Sequence, residues 1–147
     1  MAKQATGAQL KTNPSPPSTS DPKEGRELAL LIAEAALEKK ASRIEIIDVR
    51  DKVDYADFVV VMSGRSDRQV AAIARGIEED LKLKHGTRCQ GIEGLPQGSW
   101  VLLDFSDVVV HIFHQDTRGF YDLEGLWLDA DRVEFEGQPD DDGFVFP

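Results

Sequence analysis

Apolar positions along this chain recur in two rhythms, and both fade near the ends. From residue 24 to about 40, Leu28, Leu31, Ile32 and Ala35 fall on one stripe at helical spacing. Residues 43–49 change to period two, with Ile44 and Ile46 alternating against Arg43 and Glu45. Residues 57–63 (D-F-V-V-V-M-S) are apolar at both parities, the pattern of a central strand covered on both faces. Gly64-Arg65 then turns the chain, and Ser66 with Gln69 three residues on forms a capping box. Val70, Ile73, Ile77 and Leu81 carry a second helix to about residue 84, where Gly86 stops it. A short strand over 87–92, a strand pair at 99–105 and 108–114, and a last helix over about 118–128 complete the series.

This order predicts a mixed α+β fold: a small mixed five-stranded sheet flanked by helices. The strand–helix–strand unit around residues 57–92 should be a right-handed parallel crossover. The folded body spans residues 24–134. Residues 1–23 are rich in Thr, Ser, Pro and Gly and are expected to be disordered. Residues 135–147, with D-D-D near their middle, read as an acidic tail.

The strand pair sorts its side chains by face. With D-F-S-D as a four-residue loop, Leu103 pairs with Val108 and Trp100 with His111. Val101, Leu103, Val108, Val110 and Ile112 then share one wholly apolar face. Trp100, Leu102, Val109, His111 and Phe113 share the other, which is aromatic with one polar tip. The second face is either another core layer or a partly exposed docking patch. A three-residue loop would swap the assignment on one strand.

Charge narrows the function. Lys and Arg total 17 against 27 Asp and Glu, a formal net charge of −10. Residues 24–134 alone carry 14 basic and 22 acidic side chains. Such a body is repelled by phosphate backbones at long range, which argues against direct nucleic-acid binding, sequence-specific or not, and favours a basic protein partner. The lone Cys89 permits no internal disulfide and has no neighbouring base, so it reads as a passive thiol. No apolar run reaches the roughly 20 residues of a membrane helix. The N-terminus lacks the basic start and apolar stretch of a secretory signal.

Catalytic and metal-binding patterns are thin. The S-G-R-S-D-R-Q turn could cradle phosphate on backbone N–H groups, but Ser66 already caps one and Asp67 adds negative charge. His111 and His114 are three apart on a strand and point to opposite faces, so they cannot share a metal ion. Asp104 and Asp107 flank a tight turn at a spacing suited to capping rather than to holding a cation. Asp129 and Asp131 lie past the last helix and read as solvated. No nucleophile–base arrangement, dinucleotide fingerprint or P-loop is present. The enzymatic alternative is a divergent nucleotidyltransferase or nucleotide-binding protein using Gly64, Ser66, Asp104 and Asp107.

Two runs, A-D-F-V-V-V-M-S-G-R-S-D-R-Q from Ala56 and the stretch from Trp100 to Trp127 containing D-F-S-D-V-V-V-H-I-F and R-G-F-Y-D-L-E-G-L-W, resemble the ribosomal silencing factor (RsfS, iojap-like) family. The likeness covers roughly residues 24–130; Arg65 departs from the small polar residue usual at that place. The resemblance implies a nucleotidyltransferase-like core without catalytic carboxylates, and a bacterial cytoplasmic repressor of translation without cofactor. It implies binding to the large ribosomal subunit through its fourteenth protein, blocking the small subunit when nutrients fall, and a possible homodimer. The expected partner-binding residues are Trp100, Asp104, Asp107, His111, Arg118, Tyr121 and Trp127.

Overall fold

In the computed structural model, residues 22–135 are described, with side chains from residue 24 onward. The tails expected at 1–23 and 135–147 lie almost wholly outside the described residues. The elements are α1 (Pro22–Glu38), β1 (Ser42–Asp48), β2 (Phe58–Gly64), α2 (Asp67–His85), β3 (Gly91–Glu93), β4 (Trp100–Asp104), β5 (Val108–His114) and α3 (Gln115–Tyr121), followed by a 3-10 turn at Leu123–Trp127.

One five-stranded sheet runs β1-β2-β5-β4-β3. The β2–β5 pair is parallel and the other three pairs are antiparallel. β3 runs in the same direction as β2, as the expected parallel crossover requires, but lies beyond β5 and β4 rather than beside β2. β5 lies beside β2 instead, and both strands, apolar at every parity, take central places covered on both faces. Every residue of β2 is buried, and all of β5 except His114.

α1 and α2 cover one face. Ile32, Val60, Met62, Ile73, Ile77, Leu81, Leu103, Val110 and Ile112 form the main core there. The turn from β2 into α2 is tight: a Cβ on Gly64 would lie 2.9 Å from Val70 Cγ2. Ser66 Oγ accepts from the Gln69 N–H at 3.1 Å. Gln69 reciprocates one residue further back than a capping box requires, accepting from the Arg65 N–H at 2.6 Å. At the other end Gly86 takes the left-handed conformation (φ 64°) and closes the helix.

The hairpin register differs from the sequence expectation by two residues. Trp100 pairs with Phe113, Leu102 with His111 and Leu103 with Val110. The loop is a two-residue turn, with Phe105 N–H donating to the Val108 carbonyl at 2.9 Å. Ser106 sits there at φ 73°, and Asp104 Oδ1 accepts its N–H at 2.8 Å, so aspartate chemistry compensates for the missing glycine. Because the shift is even, the face assignment survives unchanged.

The last helix also differs. α3 ends at Tyr121, Asp122 takes a left-handed conformation (φ 47°, ψ 51°), and the chain resumes as the 3-10 turn. Beyond it the backbone lies along the edge of β1: Asp48 N–H donates to Asp131 O and Val133 N–H to Ile46 O, both at 2.9 Å. That edge of the sheet is therefore covered, as exposed edges generally must be.

Candidate docking surface

The second sheet face is divided. Ile47, Val49, Val59, Val61, Phe113 and Trp127 form a second small core, with Leu123 and Trp100 packed against it. The segment after α3 is its lid. The lid stops short of β4 and the start of β5, where Leu102 is only half-buried. A concavity of about 300 Å³ there is lined by Tyr55, Leu102, Asp104, Val109 and His111. A neighbouring one of about 320 Å³ shares Leu102 and adds Trp100, Glu93 and Gly94. One half of this face is thus a second core layer, and the other half stays partly exposed.

An aromatic ridge borders the open half. Trp100 stacks on Phe113 with ring centroids 5.0 Å apart and meets Tyr121 at 4.6 Å. Phe120 packs edge-on against Tyr121 and is itself 82% exposed. Trp100 Nε1–H donates to His111 Nδ1 at 3.0 Å, a diagonal contact across β4 and β5. An accepting Nδ1 means a neutral imidazole, and burial pushes the His111 pKa down to about 4.

Arg118 is placed differently from its sequence expectation. It is 2% exposed and does not reach the surface. Its Nη1 donates to Arg43 O at 2.6 Å and to Ser63 Oγ at 2.9 Å, while Nε donates to Glu124 Oε2 at 2.7 Å. Nη2 lies 2.7 Å from the same carboxylate oxygen without being aligned to donate. Burial pulls the Arg118 pKa down from a value so high that the guanidinium stays charged. For Glu124, burial works upward but is outweighed by its own backbone N–H and by Arg118, leaving a lowered pKa. Arg118 ties α3 and the 3-10 turn to β1 and β2. Trp127, 5% exposed, is the centre of the lid.

Of the seven expected contact residues, Trp100, Asp104, Asp107, His111 and Tyr121 lie on or beside the open half. Arg118 and Trp127 are buried instead. The sequence reading missed Tyr55 (58% exposed) and Phe120. Tyr55 sits in the irregular loop before β2, where no periodicity marks it.

The enzymatic alternative is not assembled. Asp104 pairs with Val109, which is level with Val59 on β2, whereas Gly64 lies five residues further along that strand. At a strand rise of roughly 3.3 Å, that puts the Asp104–Asp107 turn about 16 Å from Gly64 and Ser66. His111 and His114 also separate: His114 caps α3, its Nδ1 accepting from the Asp116 N–H at 3.1 Å. Cys89 donates to Gly91 O at 3.1 Å, and burial pushes its thiol pKa up, away from nucleophilic use.

The model of the family "Ribosomal silencing factor during starvation" matches residues 22–143. A ribosomal silencing factor from Halalkalibacterium halodurans is 40% identical over 112 residues, covering 76% of this chain and 95% of that protein. The chloroplastic protein Iojap of Zea mays is 36% identical over 114 residues, which is 78% of this chain and 49% of the plant protein. A crystal structure of a Bacillus halodurans protein superposes with a TM-score of 0.65 at 36% identity, over 75% of this chain and 99% of that one. One from Chromobacterium violaceum superposes with 0.66 at 33% identity, over 80% and 93%. Fold and sequence agree, and the chain belongs to the family of ribosomal silencing factors.

Proposed function

We propose that this protein represses translation by binding the large ribosomal subunit through its fourteenth protein and thereby blocking association with the small subunit under nutrient limitation. It acts as a binding protein rather than an enzyme, in the bacterial cytoplasm. The observation that carries this reading is the open half of the second sheet face. Leu102, Val109 and the Trp100–Tyr121 pair offer apolar and aromatic area, and Asp104, Asp107 and Glu93 form an acidic rim. A concave apolar centre with a charged rim is the anatomy of a protein interface, and the sign of the rim suits a basic ribosomal protein. A homodimer through the same face would compete with that partner.

Sedimentation with purified ribosomal subunits tests it. The protein should travel with large subunits, be absent from small subunits, and lower the yield of assembled particles when added before mixing. Equal recovery with small subunits, or no effect on joining, contradicts it.

A further inference from the structure

The net charge of −10 conceals a segregation of charge along the sheet. At the end where β2 begins lie Asp48, Asp51, Asp54, Asp57, Asp104, Asp107, Asp129 and Asp131, with Arg50 and Lys52 as the cations of the same loops. Both cations are taken up, Arg50 by Asp48 at 2.6 Å and Lys52 by Asp129 at 2.9 Å. At the opposite end, about 20 Å away along β2, the exposed side chains include Lys40, Arg43, Arg65 and Arg68.

Three segments bring these four cations together. The side-chain amide of Gln69 accepts from Arg65 N–H at 2.6 Å and donates to Lys40 O at 3.2 Å, so one amide group joins the α1–β1 turn to the start of α2. Ser42 pairs with Ser63, which sets Arg43 beside the end of β2. Lys40 and Arg43 both hold left-handed backbone conformations, φ 68° and 52°. Glycine would relieve such positions, yet both carry long cations. The carboxylates nearby are Glu38, which faces Lys84; Asp67 and Asp116, both exposed; and Glu45 and Glu124. Glu45 faces Arg132, and Glu124 faces both Arg118 and Arg43.

We infer that this basic end docks on an RNA phosphate backbone beside the protein contact on the ribosome. The inference rests on the ribosome-binding reading above and revises the exclusion of nucleic acid drawn from net charge. Averaged charge governs long-range approach; contact within a Debye length of roughly 8 Å is governed by local charge. A ribosomal surface alternates basic protein with phosphate, and a molecule acidic at one end and basic at the other matches both. Arg forks suit phosphate oxygens, and neither Arg65 nor Arg68 reaches a carboxylate within ion-pair distance among the described residues.

The test compares the full chain with the Arg65→Ala/Arg68→Ala variant, measuring affinity for large subunits from about 50 to 200 mM salt. The expected result is affinity reduced on the order of tenfold at the lower salt and a log–log salt slope shallower by about two, one for each phosphate that a guanidinium no longer neutralises. Affinity for the isolated fourteenth protein of the large subunit should not change. Unchanged affinity and slope overturn the inference, and so does an equal reduction against the isolated protein. If the wild-type chain fails to bind large subunits, the ribosome reading falls, and a duplex RNA probe at low salt decides the basic end separately. Binding weakened by the double substitution keeps the RNA contact; no binding removes it.

Discussion

His111 shows how one side chain links the core to the open surface. It stays neutral, accepts from Trp100 and lines the groove. Its folded pKa is about 4 against about 6.5 in the unfolded chain. Between those values the unfolded chain binds a proton that the folded chain does not. Stability from this group is therefore full above pH 6.5, falls as pH drops, and is gone below about 4, a loss on the order of 3 kcal/mol. Urea unfolding at pH 7 and 4.5 should show that fall in the wild type and a much shallower one in His111→Gln. Equal pH slopes would contradict the account. Asp48, whose pKa Arg50 lowers, loses its contribution below the usual 3.8, outside this window. The face of this residue is legible in the sequence, because period two in V-V-V-H-I-F survives an even register shift. The Trp100 bond is not, since it depends on the two-residue turn at Ser106. That turn lacks glycine and therefore reads as longer.

At the scale of elements, the lid decides how much of the second face stays open. Arg118 and Trp127 resemble surface anchors in sequence because Trp and Arg at interfaces and in lids share one composition; only burial separates them. Breaking a buried charge pair from one side costs about 3–5 kcal/mol, so Arg118→Met should lower the thermal midpoint strongly by stranding Glu124. Trp127→Ala should cost about 3–5 kcal/mol by emptying the second core. Tyr121→Ala, at a half-exposed position, should unfold at nearly the wild-type temperature. Calorimetry of the three variants checks this ranking, and a Tyr121→Ala midpoint as low as that of Trp127→Ala would contradict it. The strands and the first two helices are legible because their periodicities are long and their caps are strong. The break at Asp122 is not, since the apolar spacing of Phe120, Leu123 and Trp127 also fits one continuous helix. The placement of β5 beside β2 is not legible either: doubly apolar strands announce a central position without naming their neighbour.

At the scale of the whole molecule, charge separates along the sheet among the described residues. α1 and α2 fill one sheet face and the C-terminal lid half-fills the other, leaving a groove with an aromatic ridge and an acidic rim. Composition reveals the acidity but not its separation from the basic end, because sequence distance hides that the segments carrying Lys40, Arg43 and Arg65 are neighbours in the fold. In the proposed role, the open half of the second face grips the large subunit. Its most direct test is the affinity of Tyr121→Ala and Leu102→Glu for purified large subunits, measured beside their thermal midpoints. Near-native midpoints are expected for both, with affinity weakened by about 2 kcal/mol or more, the usual cost of removing an interface anchor. Native stability with wild-type affinity in both variants would place the ribosome contact elsewhere and contradict it.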